Sequence, residues 1–275
     1  MADVRPTLVE ELVASGVAAR EARWIVEEYA VGGDPDATAA VHAAARRRLD
    51  GEPLQYVLGH WPFRGLDLDL DPRVLIPRPE TEELVEHALV ELARIDVTAP
   101  VVLDLGCGSG AIGLAIATEL VARGVRARVV GVDASEGALT VARANARKHG
   151  LAEVSFVRSD WFDGLDASLR GRVHLVAANP PYVGAEELAG LDPVLAHEPR
   201  RALVAADHGG VTGFADVAAI VAAAPAWLAP GGALVLEHGD RQGPAALAAA
   251  RAAGLEAFDR RDLAGRDRVL VARRA

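Results

Sequence analysis

The chain has 275 residues, 51% of them hydrophobic and 25% charged, enough for one large domain or a mid-sized domain with a small companion and a proper core. Its net charge of −10 lacks the basic footprint with which a dedicated DNA binder meets phosphates, and its single cysteine, Cys107, excludes a disulfide framework and a cysteine-based zinc cluster. The polar, acidic start from Met1 to Glu11 carries no signal-peptide pattern.

The first stretch is helical in pattern. Leu8, Leu12 and Val13 share one face, Trp24, Ile25 and Tyr29 a second, and Val41, Ala45 and Leu49 a third. Gly16, then Gly32-Gly33-Asp34-Pro35, then Gly51 with Pro53 separate them, so residues 1–60 read as a small helical domain. Alternation in Leu66-Asp67-Leu68-Asp69-Leu70, with Asp71-Pro72 as a turn, marks a β-hairpin linker over residues 61–80. From residue 81 to 275 strands alternate with helices: Val101–Leu105, Arg128–Val132, Val154–Arg158, Val173–Ala178, Ala233–Glu237 and Arg268–Ala272. That order implies right-handed crossovers and an α/β domain, a mostly parallel sheet with helices on both faces. The longest apolar tract, Val217 to Leu236, is broken by Pro225, Pro230, Gly231 and Gly232, which suits a helix, a turn and a buried strand rather than a membrane span. A cytoplasmic protein without a membrane partner is the expectation.

Strand Val101–Leu105 runs into Gly106-Cys107-Gly108-Ser109-Gly110 and then a helix. Glycines here let the backbone turn tightly and approach a ligand, with helix N–H groups aimed at it. Asp133, ending the next strand, stands where an acid accepts hydrogen bonds from ribose hydroxyls. Two ligands fit this segment: Gly108 to Gly113 matches the dinucleotide pattern G-x-G-x-x-G, while Gly106 at the strand end extends it to the G-x-G-x-G turn that resembles class I methyltransferases.

The tetrapeptide Asn179-Pro180-Pro181-Tyr182 decides between them. It closes the buried strand Val173–Ala178 at its carboxyl end, where ligands sit in open α/β sheets. A nitrogen conjugated to a carbonyl or a ring is a poor nucleophile because its lone pair is delocalised. The side-chain oxygen of Asn179 and the carbonyl of Pro180 can each accept one N–H of a planar amino group, fixing the nitrogen and favouring the positive charge that grows on it. The two prolines preset those carbonyls, and Tyr182 offers a flat face to the target. The motif resembles the N/D-P-P-Y/F/W signature of amino-group methyltransferases.

The rest of the chain is more specific. Gly51-Glu52-Pro53-Leu54-Gln55-Tyr56-Val57-Leu58-Gly59, Leu75-Ile76-Pro77-Arg78-Pro79-Glu80-Thr81, Ser159-Asp160-Trp161-Phe162, Glu198-Pro199 and Leu236-Glu237-His238-Gly239 resemble, in order and spacing, the release factor N5-glutamine methyltransferases of the HemK or PrmC type. The resemblance runs from about Gly51 to the C-terminus; the first fifty residues match in general character only, and in the family that module helps grip the release factor.

The resemblance implies a Rossmann-like class I methyltransferase domain using S-adenosylmethionine, with S-adenosylhomocysteine as product and no metal. It puts Gly106, Cys107, Gly108, Ser109, Gly110, Asp133, Trp161 (at the adenine) and Asn179 on the cofactor. It puts Asn179, Pro180, Pro181 and Tyr182 on the substrate glutamine, with Asn179, Pro180 and Tyr182 carrying catalysis. The implied partner is a peptide chain release factor, not a stably bound nucleic acid. The chemistry is direct SN2 transfer to the glutamine amide nitrogen, with the surplus proton passing to water.

Arg78-Pro79-Glu80-Thr81 reads either as a proline-set helix start or as a wall of the cofactor site. Asp160 reads either as an acceptor for the adenine amino group or as a solvated loop end, and His238 as a satisfied core histidine. The rival functions are a DNA or RNA amino-group methyltransferase and a catalytically silent cofactor-binding regulator. Against the first stand the net charge and the lack of a target-recognition insertion, and against the second the intact tetrapeptide.

Overall fold

The computed structural model describes residues 5–30, 35–151, 153–262 and 264–275. Four helices come first: α1 (Arg5–Ala14), α2 (Ala19–Tyr29), α3 (Pro35–Leu49) and α4 (Leu54–Leu58). Leu8, Leu12, Ile25, Val26, Val41, Ala45 and Val57 close on one another as a core of their own. Two residues assigned to the inward faces point out instead: Val13 is 41% exposed and Leu49 47%. Val13 lies about 100° around the helix from the buried Leu12, and Leu49, the last residue of α3, reaches the turn at Gly16 (3.7 Å from its Cβ position) at the rim of the bundle. The break expected at Gly32-Gly33-Asp34 lies outside the described residues. Gly59 ends α4 in the left-handed conformation.

Strands β1 (His60–Phe63) and β2 (Leu66–Asp69) form an antiparallel hairpin with Trp61 opposite Leu68 and Phe63 opposite Leu66. The sequence placed this hairpin later, around Asp71-Pro72. The chain turns at Arg64-Gly65, both at positive φ (42° and 78°), the two-residue turn whose twist matches the strands. Leu66, Leu68 and Leu70 are buried beneath it, and Trp61 packs against both the helical core and the core under the main sheet.

The remainder runs α5 (Thr81–Ile95), β3 (Val101–Leu105), α6 (Ala111–Ala122), β4 (Arg128–Asp133), α7 (Glu136–Lys148), β5 (Ser155–Arg158), β6 (Val173–Ala178), β7 (Val183–Gly184), α8 (Arg200–Leu203), β8 (Val204–Ala205), α9 (Ala215–Ala223), β9 (Leu228–Glu237), α10 (Gly243–Ala252), β10 (Glu256–Arg261) and β11 (Asp267–Arg273). Seven strands form one sheet in the order β10-β11-β9-β6-β3-β4-β5. Five are parallel, and β11 and β10 close one edge antiparallel. Successive residues of the central strands face opposite layers. Val102, Leu175 and Val235 pack with α5, α6 and α7, while Leu103, Val176 and Leu234 pack with α9 and α10.

Strand β9 begins at Leu228, earlier than the expected Ala233, because its ladder to β6 continues across a register shift between Val173 and Leu175. After β3 the chain moves outward through β4 and β5, then returns to lay β6 on the other side of β3. That reversal opens a crevice beyond the carboxyl ends of β3, β4 and β6. Among the described residues no helix is long and apolar enough to cross a membrane.

Candidate functional site

The glycine turn leaves β3 directly into this crevice. Gly106, Gly108 and Gly110 all adopt positive φ (70°, 54° and 86°), and the Cys107 N–H donates to the Val132 carbonyl at 2.9 Å, pinning the turn to β4. A Cβ on Gly106 would stand 3.3 Å from the Trp161 ring, whereas one on Gly108 would meet nothing within 4 Å. Asp133 sits at the end of β4. Its Oδ2 accepts from the Gly108 N–H at 3.0 Å and its Oδ1 from the Ser135 N–H at 2.8 Å. Each carboxylate oxygen retains a second lone pair. Beneath the turn Asp104 is fully buried, with Oδ2 accepting from the Gly113 N–H at 2.8 Å. Burial, with the nearby Asp133 charge, raises its carboxyl to about 7 against the lowering effect of that hydrogen bond.

Gly106, Gly108, Asp133, Trp161, Asn179 and Pro181 line one cleft. Cys107, Ser109 and Gly110 do not. Cys107 is turned under the turn against Leu139, Ala142 and Phe156, where burial pushes its thiol up. Ser109 is buried, and its carbonyl accepts from Asn145 Nδ2 at 2.9 Å. Gly110 caps α6, with its Cβ position 3.0 Å from Leu114. Trp161 holds positive φ (44°), and its indole Nε1 donates to Asp216 Oδ1 at 3.3 Å. Asp216, in the first turn of α9, was absent from the sequence reading; nothing near it in sequence marks the pairing. Asp160 also lines the cleft, exposed to solvent.

Asn179 stands on the far wall, just after β6. Its Nδ2 donates to Thr81 Oγ1 at 3.1 Å, and the Thr81 hydroxyl lies 2.8 Å from Glu237 Oε2. The Tyr182 hydroxyl lies 3.1 Å from Glu237 Oε1. Glu237 ends β9 and is 1% exposed; burial raises its carboxyl, and the two hydroxyl groups oppose that rise. Burial and the Glu237 charge together push the Tyr182 phenol up, so it stays protonated and donates. Asn179 also lines a second, apolar cleft, with Pro180, Tyr182, Leu195 and Leu203.

The segment Arg78–Thr81 is a helix start, and none of its residues lines the cleft under the glycine turn; Arg78 lines the second cleft. Thr81 opens α5 and at the same time touches Asn179, while the Arg78 guanidinium donates to the buried Glu198 carboxylate, whose Oε2 also accepts from the Ile76 N–H at 3.0 Å. Behind the tetrapeptide, Gln242 Nε2 donates to the carbonyls of Tyr182 (3.1 Å) and Thr212 (2.8 Å). His238 is buried with its ring nitrogens facing the Gly239 carbonyl and Asp259, as a core histidine. The signal for Thr81 and Glu237 was a polar residue ending an apolar strand and another opening a helix. Gln242 carried no such signal. Among the described residues no group of His, Cys, Asp and Glu could hold a metal ion.

Comparison with known proteins is consistent with this crevice. A family model described as "Methyltransferase domain" matches residues 98–253. The release factor glutamine methyltransferase of Bordetella pertussis is 42% identical over 265 residues, covering 96% of this chain and 93% of that protein. That of Deinococcus radiodurans is 42% identical over 242 residues, 88% of this chain and 81% of its own. Among solved structures, the T. thermophilus 16S rRNA N2 G1207 methyltransferase superposes with a TM-score of 0.54 at 21% identity, covering 78% of this chain and 50% of that one, a likeness of fold. With two relatives 42% identical, over 96% and 88% of its length, the chain belongs to the release factor glutamine methyltransferase family.

Proposed function

We propose that the protein transfers a methyl group from S-adenosylmethionine to the side-chain amide nitrogen (N5) of the glutamine in the Gly-Gly-Gln motif of peptide chain release factors. The observation that carries this reading is Asn179, an amide shared by two clefts, one under the glycine turn and Asp133, the other apolar. The first cleft fits an adenosine ligand: Asp133 keeps a lone pair on each oxygen for a vicinal diol, Gly108 leaves open space at the turn, and Trp161 supplies a ring face.

When bound, S-adenosylmethionine supplies a methyl group activated by a positive sulfur. The residues of the chain do the rest. The backbone from Gly106 to Gly110 holds the amino-acid end, Asp133 the ribose, and Trp161 the adenine. Asn179 Oδ1 and the Pro180 carbonyl accept the two N–H groups of the glutamine amide, holding its nitrogen in line and stabilising the charge that grows there. Pro181 and Tyr182 pack around the amide, and the surplus proton passes to water. In this reading residues 1–60 form a substrate-binding domain, residues 61–80 a linker, and residues 81–275 the cytoplasmic enzyme's catalytic domain.

Radiolabelled methyl transfer to release factor, DNA and tRNA offered in parallel tests it. One methyl group should appear on the glutamine of the Gly-Gly-Gln loop, located by mass spectrometry of the digest. Label on nucleic acid and none on release factor refutes the assignment and leaves the amino-group methyltransferase of nucleic acid in its place.

A further inference from the structure

Asn179, Thr81, Glu237 and Tyr182 form a hydrogen-bonded chain in which, with Glu237 ionised, the protons can be distributed in one way. A carboxylate only accepts, and each hydroxyl has a single proton to give. Both oxygens of Glu237 are approached by hydroxyl groups, Oε2 by Thr81 at 2.8 Å and Oε1 by Tyr182 at 3.1 Å. The Thr81 proton is therefore committed to Glu237, and its oxygen is left as an acceptor. The group of Asn179 that lies 3.1 Å from that oxygen must then be the NH2, and the amide oxygen Oδ1 is turned the other way. Among the described residues nothing donates to that oxygen.

We infer that Thr81 and Glu237 are positioning residues that set the orientation of the Asn179 amide, so that its oxygen and not its NH2 faces the amino group to be methylated. The inference rests on the proposed reading for the nature of the target. A flipped Asn179 would bring Oδ1 against the Thr81 oxygen with no proton between them. Thr81 is 3% exposed and Glu237 1%, so water does not relieve that contact. The flipped amide would also present N–H groups to the N–H groups of the substrate. The same contacts bolt the start of α5 to the end of β9, so a purely structural role is the rival explanation.

The two roles differ in what they predict. Thr81→Val keeps the shape and removes the proton, and Thr81→Ser keeps the hydroxyl. Single-turnover methyl transfer with saturating release factor should fall at least tenfold in Thr81→Val, while the calorimetric Kd for S-adenosylmethionine changes by less than threefold. Thr81→Ser should return the rate to within threefold of the parent.

In an Asn179→Asp background the two oxygens at position 179 are equivalent and need no orienting. The new carboxylate competes with Glu237 for the Thr81 proton but has no amide to orient, so adding Thr81→Val there should lower the rate by a smaller factor than in the Asn179 parent. An equal fractional loss in both backgrounds overturns the inference, as does a Thr81→Val rate equal to the parent's. Should Thr81→Val fail to fold, Thr81→Ala carries the test. It removes the hydroxyl without placing a branched side chain there, so the same loss is expected and an unchanged rate refutes the role.

A readout independent of methyl transfer is the side-chain NH2 of Asn179, observed by 15N NMR. One of its protons should exchange slowly in the parent and lose that protection in Thr81→Val or Thr81→Ala. A parent that shows this protection but methylates no release factor defeats the functional reading and leaves the orientation standing. A parent that methylates release factor with both protons exchanging freely defeats the orientation alone.

Discussion

Each oxygen of the Asp133 carboxylate already accepts one backbone N–H, so this side chain shapes the turn, and in the proposed reading its remaining lone pairs take the ribose. Asp133→Ala removes both roles. Lost charge-assisted hydrogen bonds are worth about 1.5–3 kcal/mol each, so affinity for S-adenosylmethionine should fall at least tenfold with the fold intact. Calorimetry giving an unchanged Kd removes Asp133 from the cofactor site. Asn179 separates orientation from binding. Asn179→Ala deletes an acceptor where charge grows, a loss of about 2.7–4 kcal/mol or 10²–10³ in turnover, while the glycine turn and Asp133 still hold the cofactor. Asn179→Asp keeps an acceptor but must desolvate a carboxylate, so partial activity is expected. Single-turnover rates should run Asn, Asp, Ala; an Ala variant as fast as the parent refutes the role. Asp133 and Asn179 were legible in the sequence because each ends a strand beside its own short motif. Asp216, Gln242 and the link from Thr81 to Glu237 were not, because their partners lie 55, 60 and 156 residues away and only the folded sheet brings them together.

At the scale of elements, the strands that the sequence revealed are mostly those buried on both faces, which read as apolar runs; β5, an edge strand with no buried residue, is the exception. Strand β10, Glu-Ala-Phe-Asp-Arg-Arg, was missed. It lies at the sheet edge with one neighbour, and charge on its exposed positions suits an edge that must not pair further. The segment after β6 carries the site on short pieces of structure, β7, α8 and β8 among them, and its shape depends on contacts from behind. Gly213 is one of them. Its φ is 63°, and a Cβ there would lie 2.4 Å from the Tyr182 carbonyl oxygen, backbone that cannot rotate away. Gly213→Ala adds left-handed strain of about 1–2 kcal/mol and also pushes the carbonyl that Gln242 grips. The expected outcome is a lower Tm together with slower methyl transfer at unchanged cofactor affinity. Gly171→Ala, at a similar φ of 68° with open space around it, should lower Tm alone. Equal turnover in the two variants would separate Gly213 from the site.

Across the whole molecule, the helical module and the sheet have separate cores, and the hairpin between them is where they are coupled. Trp61 meets the Trp24 ring edge-on at 5.6 Å, and the Arg20 guanidinium lies over Trp24. Beside them His60 on β1 faces two carboxylates, Glu28 on α2 and Asp67 on β2, while Lys148 from α7 holds Asp67 and Asp69. One imidazole thus ties the module to the hairpin, and the hairpin is tied in turn to the sheet's own helix. Partial burial lowers the His60 pKa, but the hydrogen bonds and charges of Asp67 and Glu28 outweigh it, and the net shift is upward from 6.5. A group whose folded-state value exceeds its unfolded one stabilises fully below the unfolded value and loses that contribution as pH rises through the folded one. The bridge is therefore strongest in mild acid and fades in alkali. His60→Gln, neutral at every pH, should melt below the parent by the widest margin near pH 6. The gap should close as the pH climbs past the folded-state value. Paired thermal melts across that range check it: a constant gap would make His60 a packing residue, and a gap widening with pH would mean that burial outweighs the two carboxylates after all.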